Sequence, residues 1–289
     1  MKKYFWRYLT CLALACAFAS CSEEQSFYEE GISTLTFNVS LYEKTEMDGS
    51  TRAELVDASK AFSKLSVVFF KGEEAVETVT QDKKEDGEEF GKVSVTLPYG
   101  DYKVVAIGHK GNADVTIDSP TAISFPNNEL SDPYYVYREM EINKDSESQQ
   151  TLELKHAAAR FTLDTTDNFP ANIGTITFTI TGGGTVFNAV TGCAVAIQEQ
   201  IKSYNVESYA GETPTVNVYS FLTTTSEEKL TIKVTATDKE GKLIAERTFT
   251  EVPMQRNYST TYKGAFFTNT GKWTIVVDQA YVQNTEYLF

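Results

Sequence analysis

Cysteine is scarce in this chain of 289 residues, which holds Cys11, Cys16, Cys21 and Cys193 and no others. Three of the four fall within the first 21 residues, so a disulfide framework is excluded and stability has to come from apolar cores. Cys193, in Gly192-Cys193-Ala194-Val195-Ala196-Ile197, reads as a small buried hydrophobe. Histidine is scarcer still, with only His109 and His156. A zinc site needs three or four closely spaced ligands, and a Cys–His nucleophile needs the two side by side; neither spacing occurs. His109, in Ile107-Gly108-His109-Lys110-Gly111-Asn112, is expected in a surface turn, and His156 as a hydrogen-bonded edge histidine. Basic charge is short as well: 26 Lys and Arg stand against 40 Asp and Glu, a formal net charge of -14. Such a surface repels nucleic acid and anionic head groups, which excludes nucleic acid as a partner.

Other chemistry is missing too. Gly182-Gly183-Gly184 is followed by Thr185-Val186-Phe187, where a phosphate loop needs Lys and Ser/Thr, so it reads as a hairpin turn. No Gly-x-Ser-x-Gly elbow is present. The acidic run Glu73–Glu89 contains Glu85-Asp86-Gly87-Glu88-Glu89. Paired carboxylates can hydrolyse glycosides or hold calcium weakly, but this spacing matches no EF-hand loop, and a solvated hairpin tip is the plain reading. Abundant Tyr and Phe, 16 and 18, suit either sugar stacking or β-cores. No catalytic, cofactor or metal residue is assigned, and a non-enzymatic protein is expected.

The N-terminus is informative. Met1, Lys2, Lys3 and Arg7 form a basic start, followed by the uncharged stretch Leu9–Ala19, which is 11 residues long. A spanning helix needs roughly 20, so residues 1–20 read as a signal peptide. The stretch ends in Phe18-Ala19-Ser20-Cys21, small residues before a cysteine, as a lipoprotein signal peptidase requires. Cys21 is therefore the expected lipid-attachment residue, and Cys16 is the competing choice. Cutting before Cys16 would leave Ala17, Phe18 and Ala19 exposed. Several acyl chains anchor stably where one does not. Ser22-Glu23-Glu24-Gln25 resembles the acidic tag of surface-exposed lipoproteins of gram-negative gut and oral anaerobes. Residues 21–30 are then a lipidated tether, and the expected address is the outer membrane, facing outward.

Period-two alternation dominates the rest. Thr34–Leu41, Val93–Leu97 and Tyr102–Ile107 alternate or run apolar as strands do, as does Leu65–Phe70, and Tyr134–Ile142 closes the set. A second set holds Arg160–Asp164, Thr175–Ile180, Val216–Phe221, Leu230–Ala236 and Leu243–Phe249, and ends at Trp273–Val277. Asp238-Lys239-Glu240-Gly241-Lys242 reads as a hairpin turn. Helical periodicity is confined to Ala53–Lys64. The pattern predicts an all-β protein of two antiparallel β-sandwich domains, 31–150 and 151–289, meeting near the polar stretch 143–150, itself a linker or a hairpin tip. Charge is uneven: residues 21–150 hold 26 acids against 12 bases, and residues 151–289 hold 14 against 11.

Several segments, taken in order, resemble one family. Pro253-Met254-Gln255-Arg256-Asn257-Tyr258-Ser259-Thr260 resembles the Pro-x-x-Arg-Asn-x-x-Thr segment of the C-terminal domain of fimbrillins, the subunits of Bacteroidales-type pili. His156-Ala157-Ala158-Ala159-Arg160-Phe161 is similar to the opening strand of that domain, and Gly100–His109 to a strand of the N-terminal one. Ser50-Thr51-Arg52-Ala53 resembles the processing or loop region before it. The resemblance implies two tandem transthyretin-like domains and a stalk, anchor or tip subunit of a fimbrium. It also implies assembly by strand addition, in which a protease cut after an arginine frees the first strand and a neighbour's C-terminal strand replaces it. Arg52 is the best-placed arginine for such a cut, although anchor subunits keep their first strand and their lipid. Tyr281, Tyr287 and Phe289, on alternate positions, are the candidate anchors of a donated strand, or else part of an ordinary edge strand. The implied partners are other fimbrial subunits, the outer membrane through the lipid, and a host or bacterial surface ligand. The rival expectation is a surface glycan-binding lipoprotein of a nutrient-uptake system.

Overall fold

A computed structural model describes residues 31–47, 50–57, 60–268 and 272–279, with side chains outside 42–57, 128 and 279. It is all-β. In the first half the strands are β1 (Ile32–Met47), β2 (Ser50–Asp57), β3 (Lys64–Lys71), β4 (Glu74–Asp82), β5 (Lys92–Pro98), β6 (Gly100–His109), β7 (Thr116–Ser119), β8 (Ala122–Ser124), β9 (Tyr134–Ile142) and β10 (Gln149–His156). The second half holds β11 (Ala159–Thr165), β12 (Ile173–Thr181), β13 (Val186–Asn188), β14 (Cys193–Ala194), β15 (Gln200–Asn205), β16 (Thr215–Ser220), β17 (Glu228–Asp238), β18 (Leu243–Met254), β19 (Tyr258–Gly264) and β20 (Thr274–Gln279).

In the first half, β9-β6-β3-β4 form one layer, and β1 with its partners β5, β2 and β10 forms the other. The layers meet at one edge, where Lys155 and His156 of β10 pair with Tyr135 and Tyr134 of β9. Alternation drives the packing. Leu35, Phe37 and Val39 of β1, Val93, Val95 and Leu97 of β5, and Leu65, Val67 and Phe69 of β3 share one core, while the residues between them in β1 and β5 face out. In the second half, β16-β11-β19-β20 packs on β15-β12-β17-β18. Phe161, Leu163, Phe178, Ile232, Val234 and Tyr262 are among the side chains filling that core.

A small third sheet, β14-β13-β8-β7, crosses between the halves, with Phe187 of β13 paired to Ile123 of β8. It covers the outer face of β3 and β6, so Val68, Phe70, Val105 and Ile107 are buried with Ile123, Phe125, Phe187 and Phe221. Strands covered on both faces read as continuous apolar runs, which is why Leu65–Phe70 hardly alternates.

Several expectations change. Ala53–Lys64 forms no α-helix over its described part: residues to Asp57 lie in β2, Lys60 is in 3-10 conformation and Lys64 opens β3. Half of the acidic run is the exposed edge strand β4, whose charges block edge-to-edge pairing, and the short helical turn Lys83–Asp86 follows it. The polar stretch 143–150 closes the turn between β9 and β10, and β10 then pairs with β1 and β9, so the chain crosses between the halves at the buried Ala157-Ala158. The three glycines are close-approach positions on the way to β13 and not a hairpin turn. A Cβ on Gly183 would lie 2.0 Å from Ser220 Oγ, and one on Gly184 2.4 Å from the Ala196 carbonyl oxygen. Glu85–Glu89 are exposed at the surface.

Candidate functional site

β1 is paired along one side over residues 32–38 and along the other over residues 36–41. It runs antiparallel to β5, from Ile32 opposite Pro98 to Asn38 opposite Lys92, and parallel to β10, from Thr36 opposite Gln149 to Leu41 opposite Leu154. Its inward side chains Leu35, Phe37, Val39 and Leu41 are 0, 0, 6 and 1% exposed. The Phe37 ring packs on Phe69 with centroids 5.3 Å apart. Outward, the Thr34 and Thr96 hydroxyls are hydrogen-bonded at 2.9 Å, and those of Thr36 and Ser94 at 3.0 Å. At roughly 1.5–3 kcal/mol per buried side chain, the four inward residues contribute about 6–12 kcal/mol. Without this strand, β5 and β10 would each lack the neighbour that pairs them here, on either side of the apolar side chains it covers.

From Ser40 onward β1 also forms a hairpin with β2, with Ser40 opposite Asp57, Leu41 opposite Val56 and Arg52 opposite Thr45. The candidate cleavage residue therefore lies in a paired strand, where a loop was expected. Cys21, the competing Cys16, and Tyr281, Tyr287 and Phe289 lie outside the described residues.

The residues of the two resemblance motifs meet at the junction of the halves. Arg256 Nη1 donates to the Tyr135 hydroxyl at 2.9 Å and to the Gly192 carbonyl at 3.0 Å, bridging β9 to the loop before β19. Gly192 has φ +72°, and a Cβ there would lie 2.3 Å from Arg256 Nη1. The Asn257 N–H donates to the Ala158 carbonyl at 3.1 Å. Arg160 is buried and its Nε donates to Ser259 Oγ at 3.0 Å, since β11 and β19 run parallel with Arg160 opposite Ser259. The sequence displayed these residues as a motif but gave no sign that they span the junction.

The histidines are at the same junction. His109 is buried at 1% exposure, contrary to the surface turn expected for it. Its Nδ1 accepts from the Gly111 N–H at 3.0 Å and its ring stands edge-on to Phe125. Burial lowers its pKa to about 4, with Asp114 opposing and Lys64 assisting. His156 lies against Tyr134, ring centroids 4.1 Å apart, with Nδ1 3.4 Å from Asp132 Oδ1, and Lys110 Nζ is 2.9 Å from Asp132 Oδ2. Burial alone would raise the Asp132 pKa, but His156 and Lys110 overcome it and hold the carboxyl at about 2. Among the described residues no group of three or more His, Cys, Asp and Glu could hold a metal, and no helix is long and apolar enough to cross a membrane. Every aromatic side chain described is buried or half-buried, so these residues present no exposed row of rings for stacking on sugars. Cys193 is buried, with Sγ 3.6 Å from the Thr191 carbonyl.

These features define a class: an all-β protein whose first described strand is an insert between two others and whose two halves are tied by a shared sheet. The chain belongs to the family of unknown function DUF6562, whose model matches residues 28–288. No curated protein matches the sequence. Among solved structures, it is similar to a candidate adhesin from Bacteroides ovatus, at 12% identity, TM-score 0.49, covering 88% of this chain and 97% of that one. It is also similar to a fimbrial assembly protein from Parabacteroides distasonis, at 11%, 0.47, and 86% against 100%. A third likeness is to a candidate polysaccharide-binding protein from Bacteroides thetaiotaomicron, at 12%, 0.47, and 88% against 100%.

Proposed function

We propose that this chain is a non-enzymatic subunit of a surface fimbrium, structural or adhesive, built from two tandem transthyretin-like sandwich domains. Lipid on Cys21 tethers it to the outer membrane, and it joins other fimbrial subunits by strand exchange. The observation that carries the reading is the placement of β1: bonded antiparallel to β5 and parallel to β10, with four alternate side chains buried, it occupies a slot that another strand could fill. The sequence resemblance to fimbrillins supports it independently. A cut after Arg52 would release β1 together with the lipid and make a stalk or tip subunit; an uncut chain would be the foot of the fibre. Tyr281, Tyr287 and Phe289 would anchor the strand it gives to a neighbour, and a host or bacterial surface molecule is the ligand of an adhesive member.

Mass spectrometry of the protein taken from the native cell surface tests this. An intact lipidated Cys21 peptide within assembled fibres identifies an anchor, and a mature start at Ala53 identifies a stalk or tip subunit. Recovery only as an unassembled monomer that sugars stabilise would sink the proposal.

A further inference from the structure

We infer that the β1 slot takes its replacement strand from a different protein and not from the C-terminal segment of a second copy of this chain. The inference rests on the strand-exchange reading above and names the partner that reading requires.

The backbone edges of β5 and β10 bond any extended strand, so they cannot discriminate between donors; side chains must do that. Four consecutive inward positions of β1 are closed off: Leu35, Phe37, Val39 and Leu41, none more than 6% exposed. The groups around them are apolar, with Val93, Val95 and Leu97 from β5, Leu152 and Leu154 from β10, and Phe69 from the opposite layer. Outward positions are different. Thr34 and Thr36 bond the hydroxyls of Thr96 and Ser94 at the surface. A strand that fits must therefore be apolar at i, i+2, i+4 and i+6 and can be polar between.

Residues 280–289 read Ala-Tyr-Val-Gln-Asn-Thr-Glu-Tyr-Leu-Phe. One alternate set is Tyr281, Gln283, Thr285, Tyr287 and Phe289, and the other is Ala280, Val282, Asn284, Glu286 and Leu288. Every run of four from the first set contains both Gln283 and Thr285, and every run from the second contains both Asn284 and Glu286, in whichever direction the strand is laid. Two neighbouring pockets would then receive an amide with a hydroxyl, or an amide with a carboxylate, among side chains that offer no hydrogen bond. Sliding the ten-residue segment so that these residues fall outside leaves it fewer than four side chains for the four inward positions. Two unpaired buried polar groups weaken binding by about a hundredfold or more. The chain thus receives a strand from one kind of protein and gives its own to a groove of another shape, and copies of it do not polymerise on themselves through this slot.

The test uses the full chain, cleaved after Arg52 by limited arginine-specific proteolysis, with labelled ten-residue peptides competing for the slot in fluorescence anisotropy. One peptide is residues 32–41, a second is 280–289, and a third is 280–289 with Gln283→Leu and Thr285→Val. Tight binding of the first and third, with the second at least about a hundredfold weaker, is the expected result. Binding of unaltered 280–289 within tenfold of 32–41 overturns the inference while leaving strand exchange standing. Failure of 32–41 itself to bind shows that the slot does not exchange strands, and both readings fall together.

Discussion

His109 has its imidazole between Phe125 and the chain turn at Gly111, with Nε2 unpartnered among the described atoms. Burial holds its pKa at about 4, below the 6.5 of an exposed histidine, so the folded state binds fewer protons than the unfolded one. Its contribution is complete above pH 6.5 and is lost as the pH falls toward 4, an amount on the order of 3 kcal/mol. Urea unfolding measured from pH 7.5 to pH 4 should show that fall, and His109→Gln should flatten the profile over this range. Asp132 belongs to a lower window. Its carboxyl is depressed to about 2, so its stabilisation is present above about pH 4 and lost only on further acidification. The sequence expected His109 in a surface turn after a strand; it is instead the buried last residue of β6, because Phe125 and Ser131 lie against its ring and no local pattern reports a cover supplied from elsewhere. Arg256 teaches the same lesson: its partner Tyr135 is 121 positions away.

Among the strands, β1 buries four alternate side chains in the first core. Phe37 is fully buried against Phe69, so Phe37→Ala should cost roughly 3–5 kcal/mol in chemical denaturation. Val76→Ala, on the exposed edge strand β4 where Val76 is 40% exposed, should fall within about 0.5 kcal/mol of the parent. Equal effects at the two sites would contradict the assignment of β1 as a core strand. Alternation in β1 and β5 was legible residue by residue, since one face of each meets water and the other an apolar layer. β3 and β6 were legible only as apolar runs; that both of their faces are covered depends on the third sheet. β13 and β14, of 3 and 2 residues, are too short to show any period.

At the scale of the whole molecule, the two halves share a core. Phe187 of β13 is buried among side chains from both, including Ile123, Phe125 and Phe221, and pairs across to β8. Coupling of this kind makes unfolding a single event. Calorimetry should give one transition with matching calorimetric and van't Hoff enthalpies, and Phe187→Ala should broaden or split it. Two well-separated transitions in the parent protein would show that the halves fold independently. Strand-exchange assembly would draw on this stiffness, since a subunit receiving a strand in one half and giving one from the other passes load through the Arg256–Tyr135 contact and the shared sheet.

The amino-acid sequence by itself determined the all-β class, the faces of the alternating strands, the absence of a disulfide framework and the residues of the junction motif, because hydrophobic period and residue chemistry are local properties. Tertiary structure alone decided that β1 sits between an antiparallel and a parallel neighbour, that His109 and Asp132 are buried, and that Arg256 and a third sheet bind the halves together. Those outcomes depend on which distant segments exclude water from a given side chain, and solvent exclusion is a property of the assembled molecule.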